Sequence, residues 1–316
     1  MGRMNEIKEQ YRNSLKSMDT EEKLDLVFYR PLGYLWALLC SKIGVTPNVI
    51  SIASIFLGVG GGILLYPYGE KLWLNYVGMF LIIWANTFDS ADGQLARMTK
   101  QYSKIGRILD GMSGDLWFIA IYIAVCLRTN ETDAVFAAQP WLIWVIAAFA
   151  GFFHAKQASA ADYYRQFHLY FLKGEGGSEL DSSKAIEARF KEMSWKKTPF
   201  AKLVTWFYRN YTASQEKPTP YMQLLRSELQ FRFNGNIPQK FRDDFRAKSK
   251  PLMKYTNMLT FNTRIIVLFI SVIVQVPYIY FLFELSVLNI MLIYMIRKHE
   301  GICDKFIEEL NDGKYN

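Results

Sequence analysis

The sequence predicts an all-α integral membrane protein: six transmembrane helices, an amphipathic N-terminal helix at the interface, and a helical cytoplasmic insertion. Three observations predict it. Hydrophobic residues make up 51% of the 316 positions, and they are gathered into blocks of about twenty, the length needed to cross the hydrocarbon. A mean hydropathy close to zero is then an average over these blocks and one long charged stretch, 164–257, which excludes an ordinary soluble domain. Lys and Arg, which outnumber Asp and Glu to give a net charge of +8, crowd into alternate segments between the blocks.

Residues 1–19 read as a polar lead-in without a cleavable signal pattern. Asp19-Thr20-Glu21-Glu22 is a helix start, with acids at the positive end of the helix dipole. Over 24–43 apolar residues mix with Asp25, Arg30 and Lys42, and Pro31 interrupts the run. That pattern suits a helix lying in the interface, with a soluble surface helix as the alternative. Thr46-Pro47-Asn48 opens the first span, 49–66, whose Gly58, Gly60, Gly61 and Gly62 permit close packing. The further spans are 72–97, 105–127, 141–163, 258–276 and 278–296, the last two separated by Pro277.

Six crossings place both termini on one side. The basic residues of the N-terminal helix, of the loop with Lys100, Lys104 and Arg107, of the segment after the fourth span and of the tail (Arg297, Lys298) mark that side as cytoplasmic. The opposite loop, TNETDAVFAAQP, is acidic. The domain boundaries follow: 1–45 interfacial, 46–163 the first four spans, 164–257 insertion, 258–298 the last two spans, 299–316 tail.

Within the insertion, GEGGS at 174–178 is a flexible joint, 184–197 and 222–233 are charged helical stretches, and Pro218, Pro220, Pro238 and Pro251 are breakers. Trp195, Lys196, Lys197, Trp206, Phe207, Tyr208 and Arg209 mix aromatic and basic character as an anionic bilayer surface requires. Nucleic acid is the competing partner for such a patch, but no nucleic-acid motif accompanies it. Cys40, Cys126 and Cys303 are too dispersed for a metal or disulfide framework, and His154, His168 and His299 have no metal spacing. Trp117, Trp141, Tyr163 and Tyr164 suit the aromatic belts.

The chemistry concentrates in four acids. Asp89, Asp92, Asp110 and Asp115 lie in or beside the second and third spans. A carboxylate at the centre of a membrane helix costs at least about 2.5–3.5 kcal/mol, so four in succession call for a partner. Asp89 and Asp92 share one helix face. At 1.5 Å per residue they lie roughly 8–12 Å from the Arg97 end, and Asp110 about 8 Å into the next, antiparallel span. The acids therefore meet at similar depth near the cytoplasmic mouth. Hard oxygen ligands suit Mg²⁺ or Mn²⁺; pairing with Arg97, Lys104 or Arg107 is the alternative.

These residues resemble the CDP-alcohol phosphotransferases, whose signature is D-x2-D-G-x2-A-R, eight residues, then G-x3-D-x3-D. Asp89, Asp92, Gly93, Ala96, Arg97, Gly106 and Asp110 match its spacing, and Thr46-Pro47-Asn48 resembles the family's lead-in. The resemblance covers roughly 25–160 and 258–298 and leaves the insertion outside. It implies a membrane phospholipid-synthesis enzyme that moves a substituted phosphate from a CDP-linked donor to an alcohol, releasing CMP. Asp89, Asp92, Asp110 and Asp115 would hold one or two ions. Gly93 and Ala96 would leave room for the cytidine, and Arg97 would meet a phosphate or a carboxylate. The family's last Asp is the general base. Here position 114 is Gly and the acid is one residue late, at Asp115. A π-bulge over 111–115 would return it to the metal face.

The resemblance allows two donors, CDP-diacylglycerol giving a phosphatidyl group to a soluble polyol, or CDP-choline or CDP-ethanolamine giving a head group to a lipid alcohol. Lys104, Arg107, Lys156, Arg165 and Arg264 favour an anionic acceptor such as inositol phosphate or glycerol phosphate. It also implies a homodimer, for which the glycine-rich span is one packing surface if it is not used internally. A transporter with acids at mid-membrane and an inactive lipid-binding scaffold are the rival classes.

Overall fold

The computed structural model describes residues 9–15, 17–174 and 180–315, and their side chains except those of Lys104, Ile105, Arg107 and Ile108. Residues 1–8 and 16 of the polar lead-in, and the GEGGS joint apart from Gly174, lie outside the described residues. The described residues are helix and connection, with no strand. The main helices are α1 (Arg30–Lys42), α2 (Pro47–Ile63), α3 (Trp73–Thr99), α4 (Lys104–Thr132), α5 (Trp141–Lys173), α6 (Ser183–Glu192), α7 (Pro199–Glu216), α8 (Pro220–Phe233), α9 (Gln239–Ser249), α10 (Phe261–Ile273) and α11 (Asn289–Asn311). Pro31 does not interrupt. It sits in the first turn of α1, where its missing N–H is harmless, and a π-helical turn (Asp25–Tyr29) leads into it.

Among the described residues, four stretches are long and apolar enough to cross a membrane: Leu109–Thr132, Trp141–Lys173, Gln239–Ile273 and Ile279–Asn311. α2 is a shorter apolar helix. α3 has 27 residues, but Asp89, Asp92 and Arg97 charge its second half. The chain forms two compact units, Met1–Phe152 with Arg264–Leu285, and Phe153–Thr263 with Ser286–Asn316.

In the first unit, α2 packs against both α3 and α4 through glycine. A Cβ on Gly58 would lie 2.1 Å from Trp117 Cδ1, one on Gly61 2.7 Å from the Gly78 carbonyl, and one on Gly62 3.0 Å from the Ile121 nitrogen. These glycines therefore serve internal packing. Trp117 is consequently a core residue, and Tyr163 and Tyr164 are also buried; of the four belt residues only Trp141 is exposed. Gly58→Val is expected to cost at least the ~1–3 kcal/mol of an overpacked core. Gly60→Ala, where a Cβ meets nothing within 4 Å, should leave thermal unfolding in detergent unchanged.

Two buried arginines tie this unit together. Arg128 donates to the Leu65 carbonyl (3.0 Å), Asn75 Oδ1 (2.9 Å) and Gln275 Oε1 (2.6 Å), joining the ends of α2, α3 and α10. Arg264 on α10 is paired with Glu284, which also accepts from Tyr280 at 2.7 Å and from Tyr122. Glu284 opens a π-helical turn, Glu284–Leu288.

In the second unit, Glu300 of α11 accepts from the main-chain nitrogens of Tyr221 (2.7 Å) and Met222 (3.3 Å), capping α8. Phe171, Phe241, Phe245 and Phe306 form an aromatic core with centroid separations of 4.5–6.0 Å. The charged stretches of the insertion form helices α6 and α8, while the aromatic core is built by α5, α9 and α11.

Candidate metal centre

α3 and α4 bring three acids together. Asp89, Asp92 and Asp110 each offer an oxygen, and these atoms all lie within 4.8 Å of one another. The group is graded from floor to mouth: Asp92 is buried, Asp89 half-buried and Asp110 exposed. The connection is short because α3 ends on Lys100 in the left-handed region (φ 56°) and Ser103 caps α4 by accepting from the Gly106 nitrogen at 2.8 Å. Gly106 has no room for a side chain, since a Cβ would stand 2.5 Å from Asn48 Oδ1. Asn48 also accepts from Ser103 Oγ at 3.1 Å, so the start of α2 pins the loop that sets the relation of the acids.

Hydroxyls orient the carboxylates. Ser113 donates to Asp89 Oδ1 at 2.6 Å, and Ser51 donates to Asp92 Oδ2. The other oxygen of Asp92 is buried and has no hydrogen-bond partner. A buried acceptor beside two further carboxylates is costly until a cation fills the space between them. The donor set is all oxygen, which fits Mg²⁺ or Mn²⁺.

Among the described residues, the two nearby arginines direct hydrogen bonds to other partners. Arg97 Nε donates to the Ser14 carbonyl. Arg30 donates to Glu21 at 2.9 Å and to Ser90 at 3.0 Å. Gln94 donates to Ser14 Oγ at 3.1 Å, and a Cβ on Gly33 would reach within 2.7 Å of Gln94 Oε1. The segment before α1 and α1 itself are therefore seated on the charged half of α3. Gly93 and Ala96 are half-buried on this helix, and a Cβ on Gly93 would lie 3.4 Å from an Arg97 guanidinium nitrogen.

The π-bulge expected at 111–115 is not there: 104–132 is continuous α-helix. A five-residue step in an α-helix turns about 500°, which leaves Asp115 about 140° from Asp110. Asp115 is exposed and stands outside the group of three. The helix has no reason to rewind, because Gly111 and Gly114 face open space and no packing force pushes a turn outward.

Of the expected acceptor residues, the side chains of Lys104 and Arg107 lie outside the described residues. Lys156 is exposed on α5. Arg165 donates twice to Asn257 Oδ1, at 3.1 and 2.6 Å. Both belong to the second unit. Arg264 belongs to the first, where Glu284 already matches its charge. Ser51 and Ser113 were not singled out by the sequence, which named Asn48 only within the Thr46-Pro47-Asn48 lead-in and Arg30 only as a charge of the interfacial helix. Only Ser113, three residues after Asp110 on the same helix face, left a legible signal.

Residues 44–166 match the family model described as CDP-alcohol phosphatidyltransferase. A phosphatidylinositol phosphate synthase of Corynebacterium glutamicum is 32% identical over 114 residues, 36% of this chain and 42% of that protein. A CDP-diacylglycerol–glycerol-3-phosphate 3-phosphatidyltransferase of Cereibacter sphaeroides is 30% identical over 97 residues, 31% of this chain and 40% of that protein. A phosphatidylinositol phosphate synthase of Mycobacterium bovis is 25% identical over 117 residues, 31% of this chain and 52% of that protein. The chain thus spans about half or less of the length of these relatives. No solved structure matches it. The matched segment contains all three clustered aspartates and the serines that hold two of them, so the likeness to the CDP-alcohol phosphatidyltransferase family covers the candidate site.

Proposed function

We propose that the protein transfers a phosphatidyl group from CDP-diacylglycerol to a polyol or polyol phosphate, such as inositol phosphate, and releases CMP. The observation that carries this reading is the convergence of Asp89, Asp92 and Asp110, with one buried Asp92 oxygen lacking a partner, inside the family domain. The similarity to a phosphatidylinositol phosphate synthase and to a CDP-diacylglycerol–glycerol-3-phosphate 3-phosphatidyltransferase supports the choice of acceptor.

Asp89, Asp92 and Asp110 would hold Mg²⁺ or Mn²⁺. When bound, the ion supplies charge neutralisation for the donor's pyrophosphate and for departing CMP. Ser51 and Ser113 fix the rotamers of Asp92 and Asp89. Gly93 and Ala96 keep the α3 surface low beside the acids, so that a nucleoside can lie against it. The acceptor oxygen forms a bond to the donor's β-phosphorus as the bond from that phosphorus to the bridging oxygen of CMP breaks. The hydroxyl proton passes to Asp110, the exposed acid of the three, and from there to water.

A general base is worth roughly 10²–10⁴-fold in rate. Asp110→Asn should lose at least that much, whereas Asp115→Asn should stay within about tenfold of wild type, as expected of a group outside the proton path. Equal losses in CMP release would return the base role to Asp115.

The same reading places six crossings in the bilayer, with α2 and α3 added to the four long apolar stretches, the segment before α2 at the interface, and both termini and the acids on the cytoplasmic side. The alternation of basic and acidic loops supports it. The functional test is mass spectrometry of products from purified protein given CDP-diacylglycerol, CDP-choline and CDP-ethanolamine with inositol phosphate, glycerol phosphate and diacylglycerol. A new anionic glycerophospholipid made only from CDP-diacylglycerol supports the proposal. Product from the head-group donors alone overturns the donor assignment, and ion flux that the asparagine variants abolish, without any product, favours a transporter.

A further inference from the structure

Helix α7 is built inside out. Its inward face is polar. Lys202 is buried, donates to the Met193 carbonyl at 2.5 Å and lies 4.6 Å above the Phe190 ring. Arg209 pairs with Glu187 at 2.7 Å, and Glu216 accepts from the Ser183 nitrogen at 3.0 Å. Thr212 is buried between them in sequence. All these contacts go to α6 or its flanks, so α7 is held by charge and hydrogen bonds.

The outward face is apolar. Phe200, Leu203, Val204, Phe207 and Tyr211 recur at helical spacing and form a stripe about 100° wide. Phe200 is 77% exposed and Phe207 59%. Single exposed apolar residues are ordinary, but a continuous stripe of them marks a surface that meets something.

We propose that this stripe docks onto an anionic lipid bilayer surface. Charge complementarity argues for it: residues 191–217 contain six bases against two acids, with exposed Lys191, Lys196 and Lys197 before the helix and Lys217 after it. Bases flanking an apolar stripe on both sides are what a headgroup layer over acyl chains selects. Trp195, exposed beside Lys196, is a residue that prefers the same layer. The tether argues for it too. The unit that carries α7 also contains most of Trp141–Lys173 and of α11, both within stretches long and apolar enough to cross a membrane. This inference stands whether or not the proposed reaction is correct.

The test uses the full chain in nanodiscs of phosphatidylcholine with and without phosphatidylglycerol. Cys40, Cys126 and Cys303 are buried, so a nitroxide can be directed to Phe207→Cys, to Val204→Cys as a second stripe position, and to Ala213→Cys on the opposite exposed side of α7. Collision with oxygen against a water-soluble nickel complex should place the two stripe labels roughly 5–10 Å below the headgroups. The label at 213 should read as aqueous. Lys196→Glu with Lys197→Glu should move the stripe labels outward in the anionic nanodiscs. Water-like collision at both stripe positions in both nanodiscs overturns the proposal. So does shielding from both reagents, which with spin–spin broadening means a second copy covers the stripe and without it another protein surface does.

Discussion

Replacing Asp89, Asp92 or Asp110 by asparagine should lower CMP release by more than the roughly 10–100-fold that follows loss of an outer-shell partner. Ser51→Ala and Ser113→Ala should fall within that smaller range, because each removes only a hydroxyl that orients a carboxylate. Asp92→Asn should be the most severe of the three, since Asp92 is buried and no water can replace its missing oxygen ligand. Stability gives an independent readout. Three carboxylates within 4.8 Å repel one another without a cation. Each asparagine variant should therefore melt at or above the wild-type temperature in chelator. Wild type should gain about 2.7 kcal/mol when Mg²⁺ reaches a hundred times its dissociation constant, and the variants should gain little. Loss of activity together with loss of stability in chelator would mean that the acids hold the helices together by hydrogen bonds rather than by a shared ion.

Glu284→Gln should destabilise the protein by about 3–5 kcal/mol, because it strands a buried guanidinium. Arg264 is 1% exposed and Glu284 0%, so neither can turn to water. Glu284 also accepts from Tyr280 and Tyr122, so its loss weakens three contacts from one turn. The discriminating partner is the double variant Arg264→Met with Glu284→Leu. Replacing a whole buried pair by apolar residues is commonly neutral or stabilising by about 1–4 kcal/mol, so the double variant should recover most of the loss. Detergent unfolding of the wild type and both variants checks this. Equal destabilisation of single and double variants would mean that the polar network, rather than the stranded charge, sets the cost.

Much of this architecture was legible because membrane helices carry their signal in composition. The apolar blocks became helices, and the spacing of Asp89, Asp92 and Asp110 brought three acids together, because three-residue steps and short loops leave little freedom. The π-bulge expected before Asp115 does not form, for a reason of backbone energetics. A π-turn forms where packing or a buried group demands it, as at Glu284, and the surroundings of Gly111 and Gly114 make no such demand. Trp117 was read as an interface residue because its type favours belts, but the missing side chain of Gly58 makes room for the indole inside the bundle. Arg128 gave no signal, since its partners are a main-chain carbonyl and two amides remote in sequence. The inverted polarity of α7 could not be read either, because a stripe of Phe, Leu and Val normally marks the face turned inward.

In the proposed site one divalent ion is shared by acids from two helices. Mn²⁺ binding to the purified protein, followed by the loss of the free-ion electron paramagnetic resonance signal, measures that sharing. Wild type should take up Mn²⁺ in competition with Mg²⁺, Asp89→Asn on α3 and Asp110→Asn on α4 should each abolish that uptake, and Asp115→Asn should retain it. Unchanged uptake in an Asp89→Asn, Asp110→Asn double variant would mean that the ion binds elsewhere and that these acids do not share it.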